Sequence, residues 1–401
     1  MKLVKITAYY NSALKYYYSK FPHIVKENYN KQLKHLLNFG IGWADFYSKA
    51  LKKIGWDAYE IVWNAKPLQK QWAKENKFKG SDLEIIIEQI KHIQPDIVWF
   101  QDSINFTSEF LDLIKNFSFV KLLIGTICSP FSSETIKTLK TFNFITTCSQ
   151  KFTDKLSDYN IKSLLLYHAF DPSILQKINS IKKTNDIVFI GSIIIGKNYH
   201  NDRIDFLKDL IKQGIEIKIY ANLQGNSPID LLKKQSLYFS KQIINLLHLN
   251  SIVKNTLWYR KSLSIDTFPM PKPINKKLKK SLQKPVFGLD MYQILSQAFI
   301  CINQHIKIAD NYAANMRLFE TTGLGTLLLT DNKKNINELF EPDKEIIVYK
   351  NYYEAAEKIK YLLNNPQKAK EIALAGQKRT FKDHTYLNRA KILVNEIKKY
   401  L

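Results

Sequence analysis

Two carboxylates toward the end of the chain have the chemistry to bind the hydroxyl groups of a sugar. Glu320 lies in the segment 311–331, which reads NYAANMRLFETTGLGTLLLTD, just before a break at Gly323 and Gly325. An ionised carboxylate accepts through both oxygens, so one such side chain can bind two ribose hydroxyls. Glu338 follows in a loop beyond a predicted buried strand. This order of helix, glycine break, strand and loop predicts a nucleotide-sugar pocket at the strand edges of an open α/β sheet.

A second group of residues, in VFIGSIIIGKNYHNDR, has the composition of a phosphate-binding turn. Gly191 follows a strand predicted at 186–190, and a helix is predicted at 200–213. A glycine there lets backbone N–H groups approach a phosphate, and the helix offers its positive N-terminal end. The full GxGxxG spacing is absent, so an ordinary strand-to-helix turn is the alternative. The residues assigned to this diphosphate-binding group are Gly191, Ser192, Lys197, His200 and Arg203.

Three further side chains could transfer a proton. Asp45 opens a predicted helix after a turn containing Gly40 and Gly42, and Asp102 ends the predicted strand IVWFQD. Either acid could serve as a general base if its pKa were raised, and a helix cap or loop residue is the alternative. His305 follows the predicted strand in FICINQH, beside the Glu320 helix. We expect His305 to be either catalytic or a satisfied structural histidine.

Composition restricts the choice of partners. The net charge of +24 suits an anionic partner, but the lysines are spread along the chain and are densest only at 272–284. No RRM signature or zinc finger occurs, so no nucleic-acid partner is expected. The longest apolar run, at 187–195, falls well short of the ~20 residues of a membrane span. With no secretory leader in its first residues, the chain is predicted to be cytoplasmic.

The cysteines and acids argue against a metal. Cys128, Cys148 and Cys301 lie far apart, without a CxxC or Cys/His motif, and predict three separate buried thiols. His168 is interpreted as a structural histidine near the hinge between two lobes. No DxD motif is present to hold a divalent ion on a sugar diphosphate, so neither a cofactor nor a metal is expected.

The chemistry-bearing segments sit in a chain whose strands and helices alternate, which predicts α/β folding around parallel sheets. The alternation restarts after a polar linker near residue 180. We therefore predict an N-terminal α/β domain at 1–178 and a second α/β domain at 179–384. A helical insertion is predicted at about 222–285, and a last helix at 385–401.

These segments resemble one glycosyltransferase family. The run NYAANMRLFETTGLGTLLLTDNKKNINELFEPDKEIIVYKNYYEAAEKIKYLL, followed by IALAGQKRTFKDHTY, resembles the C-terminal domain of CgeB-like, spore-maturation-type glycosyltransferases. Upstream, ADFYSKALKKIGWDAYEI, QPDIVWFQD and LLIGTICSPF also resemble them. The resemblance implies the GT-B architecture, in which two Rossmann-like domains face a cleft. It implies that 1–178 lies on the acceptor side and that 179–384 binds the nucleotide sugar. It also implies that the last helix, 385–401, packs on the N-terminal domain. It also implies metal-independent transfer of a sugar, of the hexosyltransferase type, from a nucleotide-sugar donor.

The resemblance also implies individual roles. Glu320 falls on the ribose-binding acid, and Asn315 with Arg317 falls on the N-x-R part of that pattern. Gly191 with Arg203 falls on the diphosphate loop. Gly325, Thr330 and Glu338 complete the predicted donor-binding set.

The chain departs from the pattern at one position. Many related retaining enzymes carry a second acid where this chain has Tyr312. The contact with the donor sugar is then left to His305 or Asn315. The departure also motivates an alternative function, a non-catalytic nucleotide-sugar-binding or assembly protein of a polysaccharide or glycoprotein pathway.

The acceptor is expected to be a glycan, a lipid-linked sugar or a protein, and to enter near Gly40 and Gly42. The insertion at 229–284 mixes leucine and isoleucine with lysine. It is predicted to contact an anionic membrane at its inner face, to pair two subunits as a homodimer, or to form a cap packed on its own domain.

Overall fold

The computed structural model describes residues 1–179, 182–194, 198–224, 228–249 and 276–401, together with positions 253, 262, 265 and 268–270. The chain divides into two compact units. The first contains Met1–Ile190 and Val286–Leu401, and the second contains Gly191–Pro285.

A parallel sheet forms the first half of the first unit. Within the described residues it has six strands in the order β2-β1-β3-β4-β5-β6. Its central strands are buried along their length, as expected of a parallel sheet covered on both faces. The strands are β1 (Lys2–Thr7), β2 (Asp57–Val62), β3 (Ile97–Phe100), β4 (Leu122–Ile127), β5 (Phe144–Thr147) and β6 (Ser163–Leu165).

Helices connect these strands and bury their apolar sides against the sheet. Ser81 followed by Glu84 three positions later predicts a capping box at the start of the fifth helix. The structure confirms it, because the Ser81 hydroxyl accepts from the Glu84 backbone N–H while the Glu84 carboxylate accepts from the Ser81 backbone N–H. The helices are α1 (Asn11–Lys20), α2 (Tyr29–Asn38), α3 (Phe46–Lys53), α4 (Lys66–Glu75), α5 (Asp82–Ile93), α6 (Ser108–Lys115), α7 (Ile136–Leu139) and α8 (Gln150–Ser157).

A second parallel sheet follows, with the described strand order β12-β11-β10-β7-β8-β9. The strands are β7 (Ile187–Ile194), β8 (Ile217–Gln224), β9 (Leu282–Gln283), β10 (Ile300–Asn303), β11 (Leu327–Asp331) and β12 (Ile347–Tyr349). β7 begins in the first unit and ends in the second. The predicted alternation of strands and helices around parallel sheets is therefore confirmed.

The helices of this second half fall into two groups. The second unit contains α9 (Asn198–Lys212), α10 (Pro228–Leu246) and α11 (Lys276–Ser281). The first unit contains α12 (Gly288–Gln297), α13 (Arg317–Gly323), α14 (Ile336–Leu339), α15 (Tyr352–Asn364), α16 (Pro366–Asp383) and α17 (Tyr386–Ile397). Among the described residues, no helix has both the length and the apolar composition that crossing a membrane requires.

The sequence pattern predicts that the helix carrying Glu320 covers 312–321, but α13 begins only at Arg317, so the first half of this prediction was wrong. The Asn335 side chain accepts from the Ala313 backbone N–H at 2.7 Å and donates to the Ala313 carbonyl at 3.0 Å. This clamp occupies both backbone groups that a helix through Ala313 would need. The residues before Arg317, including Asn315, therefore lie in a loop held by a distant side chain.

The last helix packs on the first sheet's helices. The Tyr386 ring lies 5.1 Å from the Phe46 ring and 4.9 Å from the Tyr47 ring, centroid to centroid. The Phe170 backbone N–H donates to the His384 carbonyl at 2.9 Å. These contacts attach α17 to α3 within the first unit.

Gly323 lets α13 pack directly against an aromatic ring. A Cβ at this position would lie 2.3 Å from the Phe170 ring. Alanine would gain about 1 kcal/mol of helix propensity, but a buried overlap of this kind costs about 1–3 kcal/mol and often more. We expect Gly323→Ala to lower the free energy of unfolding by about 1–3 kcal/mol, measured by urea denaturation.

A double-variant comparison isolates the cause of that loss. In a Phe170→Leu background the ring is gone, so Gly323→Ala should then cost less than it does in the native background. An equal cost in the two backgrounds would show that the Phe170 ring is not the reason for the glycine.

Candidate functional site

The carboxyl ends of β10 and β11, in the second half of the chain, carry a cluster of polar side chains. The two strands are parallel neighbours, with Asn303 opposite Thr330. His305 and Asp331 follow within two residues of that pair and meet at the same sheet edge. His305 Nδ1 lies 2.6 Å from Asp331 Oδ1, and the His305 backbone N–H donates to the same oxygen at 3.0 Å. A histidine and a carboxylate therefore form a buried dyad.

The dyad leaves one ring nitrogen for chemistry. Asp331 Oδ1 accepts the Nδ1 proton, so Nε2 of the neutral ring carries the lone pair. Nε2 is buried and has no hydrogen-bond partner among the residues that the structure describes. Burial alone would raise the pKa of Asp331, but His305 and Lys333, whose Nζ lies 3.2 Å away, bring it down to about 2. Asp331 is thus ionised at neutral pH and fixes the orientation of the ring.

Amide side chains line the neighbouring part of the edge. Asn315 donates to Asn303 Oδ1 at 2.7 Å, and Asn303 donates to the Thr330 hydroxyl at 2.9 Å. The Tyr349 hydroxyl donates to the Asn303 carbonyl at 2.7 Å. The loop that carries Asn315 is therefore tied to β10, β11 and β12.

Glu320 lies inside the molecule rather than on an outer wall, since only 4% of it is exposed. Arg317 Nη1 lies 2.8 Å from Glu320 Oε2, and the Tyr292 hydroxyl lies 3.4 Å from Oε1. Glu320 is buried and Arg317 is only partly exposed, which strengthens this ion pair relative to one in solvent. Each carboxylate oxygen already has a protein partner, so a ribose would bind Glu320 only by sharing or displacing these contacts.

Gly325 and Glu338 belong neither to the His305–Asp331 dyad nor to the Arg317–Glu320 pair. Gly325 has a φ of +66° and turns the chain between α13 and β11. Its carbonyl accepts from Lys183 Nζ at 3.0 Å. Glu338 is exposed on the short helix α14, not in a loop as predicted.

The turn predicted at Gly191 was wrong, because β7 continues through Gly191 and Ser192 to Ile194. The β-branched residues on both sides of the glycine favour extended backbone. Arg203, on α9, is buried and donates to the Ser192 carbonyl at 2.9 Å within the second unit. Lys197 lies outside the described residues, and His200 belongs to α9.

The residues of the N-terminal half that were predicted to be functional lie in two segments, one before α3 and one after β3. Gly40 and Gly42 have φ of +74° and +58°, which side chains rarely adopt. Asp45 stands at the N-terminus of α3 and forms an ion pair with Lys49 at 2.9 Å. Asp102 follows β3, where burial raises its pKa and Asn105 donates to it.

The structure adds a buried ion pair that the sequence did not predict. Lys5 and Glu60 lie directly opposite each other in β1 and β2, with Nζ and Oε2 3.2 Å apart. Burial raises the pKa of Glu60 to about 7, although Lys5 and Ser48 oppose that shift. Glu60, Ser48 and Asp45 are among the residues that line a cavity of about 340 Å³. The sequence signal that could have predicted this pair is a charged residue flanked by apolar side chains in each of the two strands.

The expectation of three separate thiols was also wrong. Cys128 and Cys148 directly follow β4 and β5, which are parallel neighbours. Their sulfur atoms and a ring nitrogen of His168 all lie within 4.8 Å of one another. Strand adjacency brings together residues that sequence spacing keeps apart. Only Cys301, buried in β10, remains outside this group.

The comparisons with known proteins concern mainly the half that carries His305 and Glu320. Residues 262–395 match a glycosyl transferase-like family. The segment includes the dyad, the amide side chains and the Arg317–Glu320 pair. No curated protein has a sequence that matches this chain.

Solved structures resemble the whole fold. Sucrose-phosphate synthase from Thermosynechococcus elongatus has a TM-score of 0.53 at 10% identity, covering 100% of this chain and 99% of that one. HepE from Anabaena, in complex with UDP, has a TM-score of 0.50 at 10% identity and full coverage, 100% of both chains. A glycosyltransferase from Rickettsia africae has a TM-score of 0.52 at 12% identity, covering 99% of this chain and 98% of that one. The two parallel six-stranded sheets match the GT-B fold, so that prediction is confirmed.

Proposed function

We propose that this chain transfers a sugar from a nucleotide-sugar donor without a metal ion, as a CgeB-like glycosyltransferase of the hexosyltransferase type. One observation carries the proposal: the glycosyl transferase-like match covers the segment in which polar side chains cluster at the ends of β10 and β11. In open α/β sheets, ligands bind at those ends. HepE, whose fold is similar, is described in complex with UDP-glucose, which supports a nucleoside diphosphate hexose as the donor.

Arg317 and Glu320 would bind the nucleotide together. The Arg317 guanidinium carries several N–H donors, and its Nη1 contacts Glu320. Its Nε is buried and has no acceptor within the described part of the chain. A diphosphate would attract the guanidinium, and its movement would free Glu320 Oε2 for the ribose hydroxyls. Arg317 would then offset part of the charge of the leaving diphosphate, a stabilisation of ~3 kcal/mol for a well-placed donor.

His305 would act on the sugar side. Its Nε2 carries a lone pair that accepts no hydrogen bond from the described residues, and Asp331 fixes the orientation of the ring. It could accept a proton from the acceptor hydroxyl or a hydrogen bond from the donor sugar. Asn315, whose side chain donates to Asn303, would contribute an amide to the contact with the donor sugar. Many related retaining enzymes have a second acid at the position that Tyr312 occupies in this chain.

The acceptor would approach the first sheet near Gly40, Gly42 and Asp45, and a glycan, a lipid-linked sugar or a protein would fit this proposal equally.

Exposed lysines of α11 and exposed apolar side chains of α10 support peripheral contact with an anionic membrane from the cytoplasmic side. Homodimerisation through α10 is the alternative use of the same surface. The apolar residues are Ile229, Leu232, Phe239, Ile243 and Leu246.

Tyr312 supports a second candidate function. A chain that binds nucleotide sugars without transferring them would not need the second acid. Turnover separates the two functions, since many transferases hydrolyse their donor slowly when no acceptor is present, whereas a binding protein would not.

The test combines calorimetry with donor hydrolysis. The native chain should bind UDP and hydrolyse a UDP-hexose at a rate that added Mg²⁺ or Mn²⁺ does not raise. Glu320→Gln removes the charge but keeps the shape, and should weaken UDP binding by roughly 10- to 150-fold, the loss of a charge-assisted hydrogen bond. Glu357→Ala, an exposed acid on α15, is the matched control and should bind UDP as the native chain does.

Each result has a clear meaning for the proposal. Unchanged binding in Glu320→Gln would refute the assigned role of Glu320. Tight binding without hydrolysis or transfer would favour the binding protein. A thermal-shift panel of nucleotide sugars then identifies the donor, because a ligand that binds only the folded state raises the melting temperature.

A further inference from the structure

Cys128, Cys148 and His168 form a cluster of metal-binding side chains in the first sheet, remote in sequence from the His305 cluster. One ligand atom of each lies within 4.8 Å of the others. Cys148 and His168 are buried, and Cys128 is half-buried. We propose that this cluster binds one zinc ion or a similar thiophilic cation.

The three side chains lie just beyond strand ends: Cys128 directly follows β4, Cys148 directly follows β5, and His168 lies three residues after β6. β4 and β5 pair up to Ile127 and Thr147, so the next residue of each strand is a cysteine at the same sheet edge. Arg389 Nε donates to the Tyr167 carbonyl at 2.9 Å and also reaches the His168 carbonyl at 3.3 Å. The backbone that carries His168 is thereby attached to α17. Ligands held in this way need little reorganisation to close around an ion.

The ligand set selects the kind of ion. Two thiolates and one imidazole suit tetrahedral Zn²⁺, with the fourth position filled by water. On binding, each thiol gives up its proton to solvent, and the thiolate sulfurs disfavour Mg²⁺ and Mn²⁺. Cys128 is not fully buried, so solvent reaches this ligand. This inference does not depend on the sugar transfer proposed above, which needs no metal.

Trp43 competes with the ion for His168. The Trp43 indole N–H donates to His168 Nδ1 at 3.0 Å, so Nε2 carries the ring proton. An ion at Nδ1 must displace the indole, and an ion at Nε2 must drive the proton to Nδ1, against the indole N–H. Either arrangement ends this hydrogen bond. Trp43→Phe should therefore bind zinc more tightly, by about 10-fold.

The test uses the reduced full-length chain under anaerobic conditions, without nucleotide. Co²⁺ should produce a near-ultraviolet thiolate-to-cobalt charge-transfer band at one equivalent, and Zn²⁺ should abolish it. Cys128→Ser, Cys148→Ser and His168→Gln should each weaken zinc binding by more than roughly 100-fold, beyond the loss seen for outer-shell changes. Cys301→Ser is the matched control and should keep the band.

A second readout guards against variants that fold poorly. Zinc should raise the melting temperature of the native chain and of Cys301→Ser, but not that of Cys128→Ser. Absence of the cobalt band in the reduced native chain would overturn the proposal. So would a band that survives in Cys128→Ser, or recovery of Cys128 and Cys148 only as a disulfide pair that binds no Zn²⁺ after reduction.

Discussion

Replacing His305 by glutamine is expected to lower kcat for sugar transfer by about 10²- to 10⁴-fold, the usual contribution of a positioned general acid or base. The buried Nε2 has no hydrogen-bond partner among the described residues, and Asp331 holds the ring in the tautomer that leaves the Nε2 lone pair available. Glutamine fills a similar space but offers no basic nitrogen. Steady-state kinetics with the identified donor and acceptor would measure the loss.

Two further variants show whether the effect belongs to the dyad. Asp331→Asn can present an N–H to the ring, which favours the opposite tautomer, and should also lower kcat strongly. His92→Gln, an exposed histidine on α5, is the control and should leave kcat unchanged. If His305→Gln stays within about 3-fold of the native kcat, His305 is a structural histidine rather than a base.

Replacing Lys5 by methionine is expected to lower the free energy of unfolding by about 3–5 kcal/mol at pH 8, because it leaves a buried carboxylate without its cation. Lys5 and Glu60 are both buried, and Lys5 Nζ also contacts the Thr7 hydroxyl at 3.0 Å and the Ala44 carbonyl at 3.1 Å. Urea denaturation of the two chains at the same pH would measure the difference.

The pH dependence of this loss has a definite sign. The pKa of Glu60 is raised from 4.5 in the unfolded chain to about 7 in the folded one. Its contribution to stability is therefore fully present below pH 4.5 and is lost as the pH rises through about 7. Lys5 lowers the pKa of Glu60, so without Lys5 burial raises this pKa further. Lys5→Met should thus be more destabilising at pH 8 than at pH 5.

Two comparison variants test the buried pair itself. Lys5→Met combined with Glu60→Leu removes both charges and should recover most of the lost stability. Lys49→Met breaks the partly exposed ion pair with Asp45 and should change the free energy of unfolding by less than about 1 kcal/mol. A Lys5→Met variant as stable as Lys49→Met would contradict this account.

Local sequence patterns were reliable wherever neighbours along the chain decide the structure. The capping box of Ser81 and Glu84, the alternation of strands and helices, and the helix that carries Glu320 all depend on residues within a few positions of one another. The same patterns were wrong at 312–316 and at Gly191. Asn335 clamps the first of these segments from far along the chain, and sheet pairing extends the strand through the second.

The sequence by itself determined the α/β fold class, the segment of the candidate site and the candidate histidine, because periodicity, caps and turn residues act locally. Only the tertiary structure decided which side chains meet. It placed Asp331 beside His305, Glu60 opposite Lys5, and Cys148 beside Cys128 and His168. Strand order and register bring these groups together, and both depend on contacts between residues far apart in the chain, which no local pattern specifies.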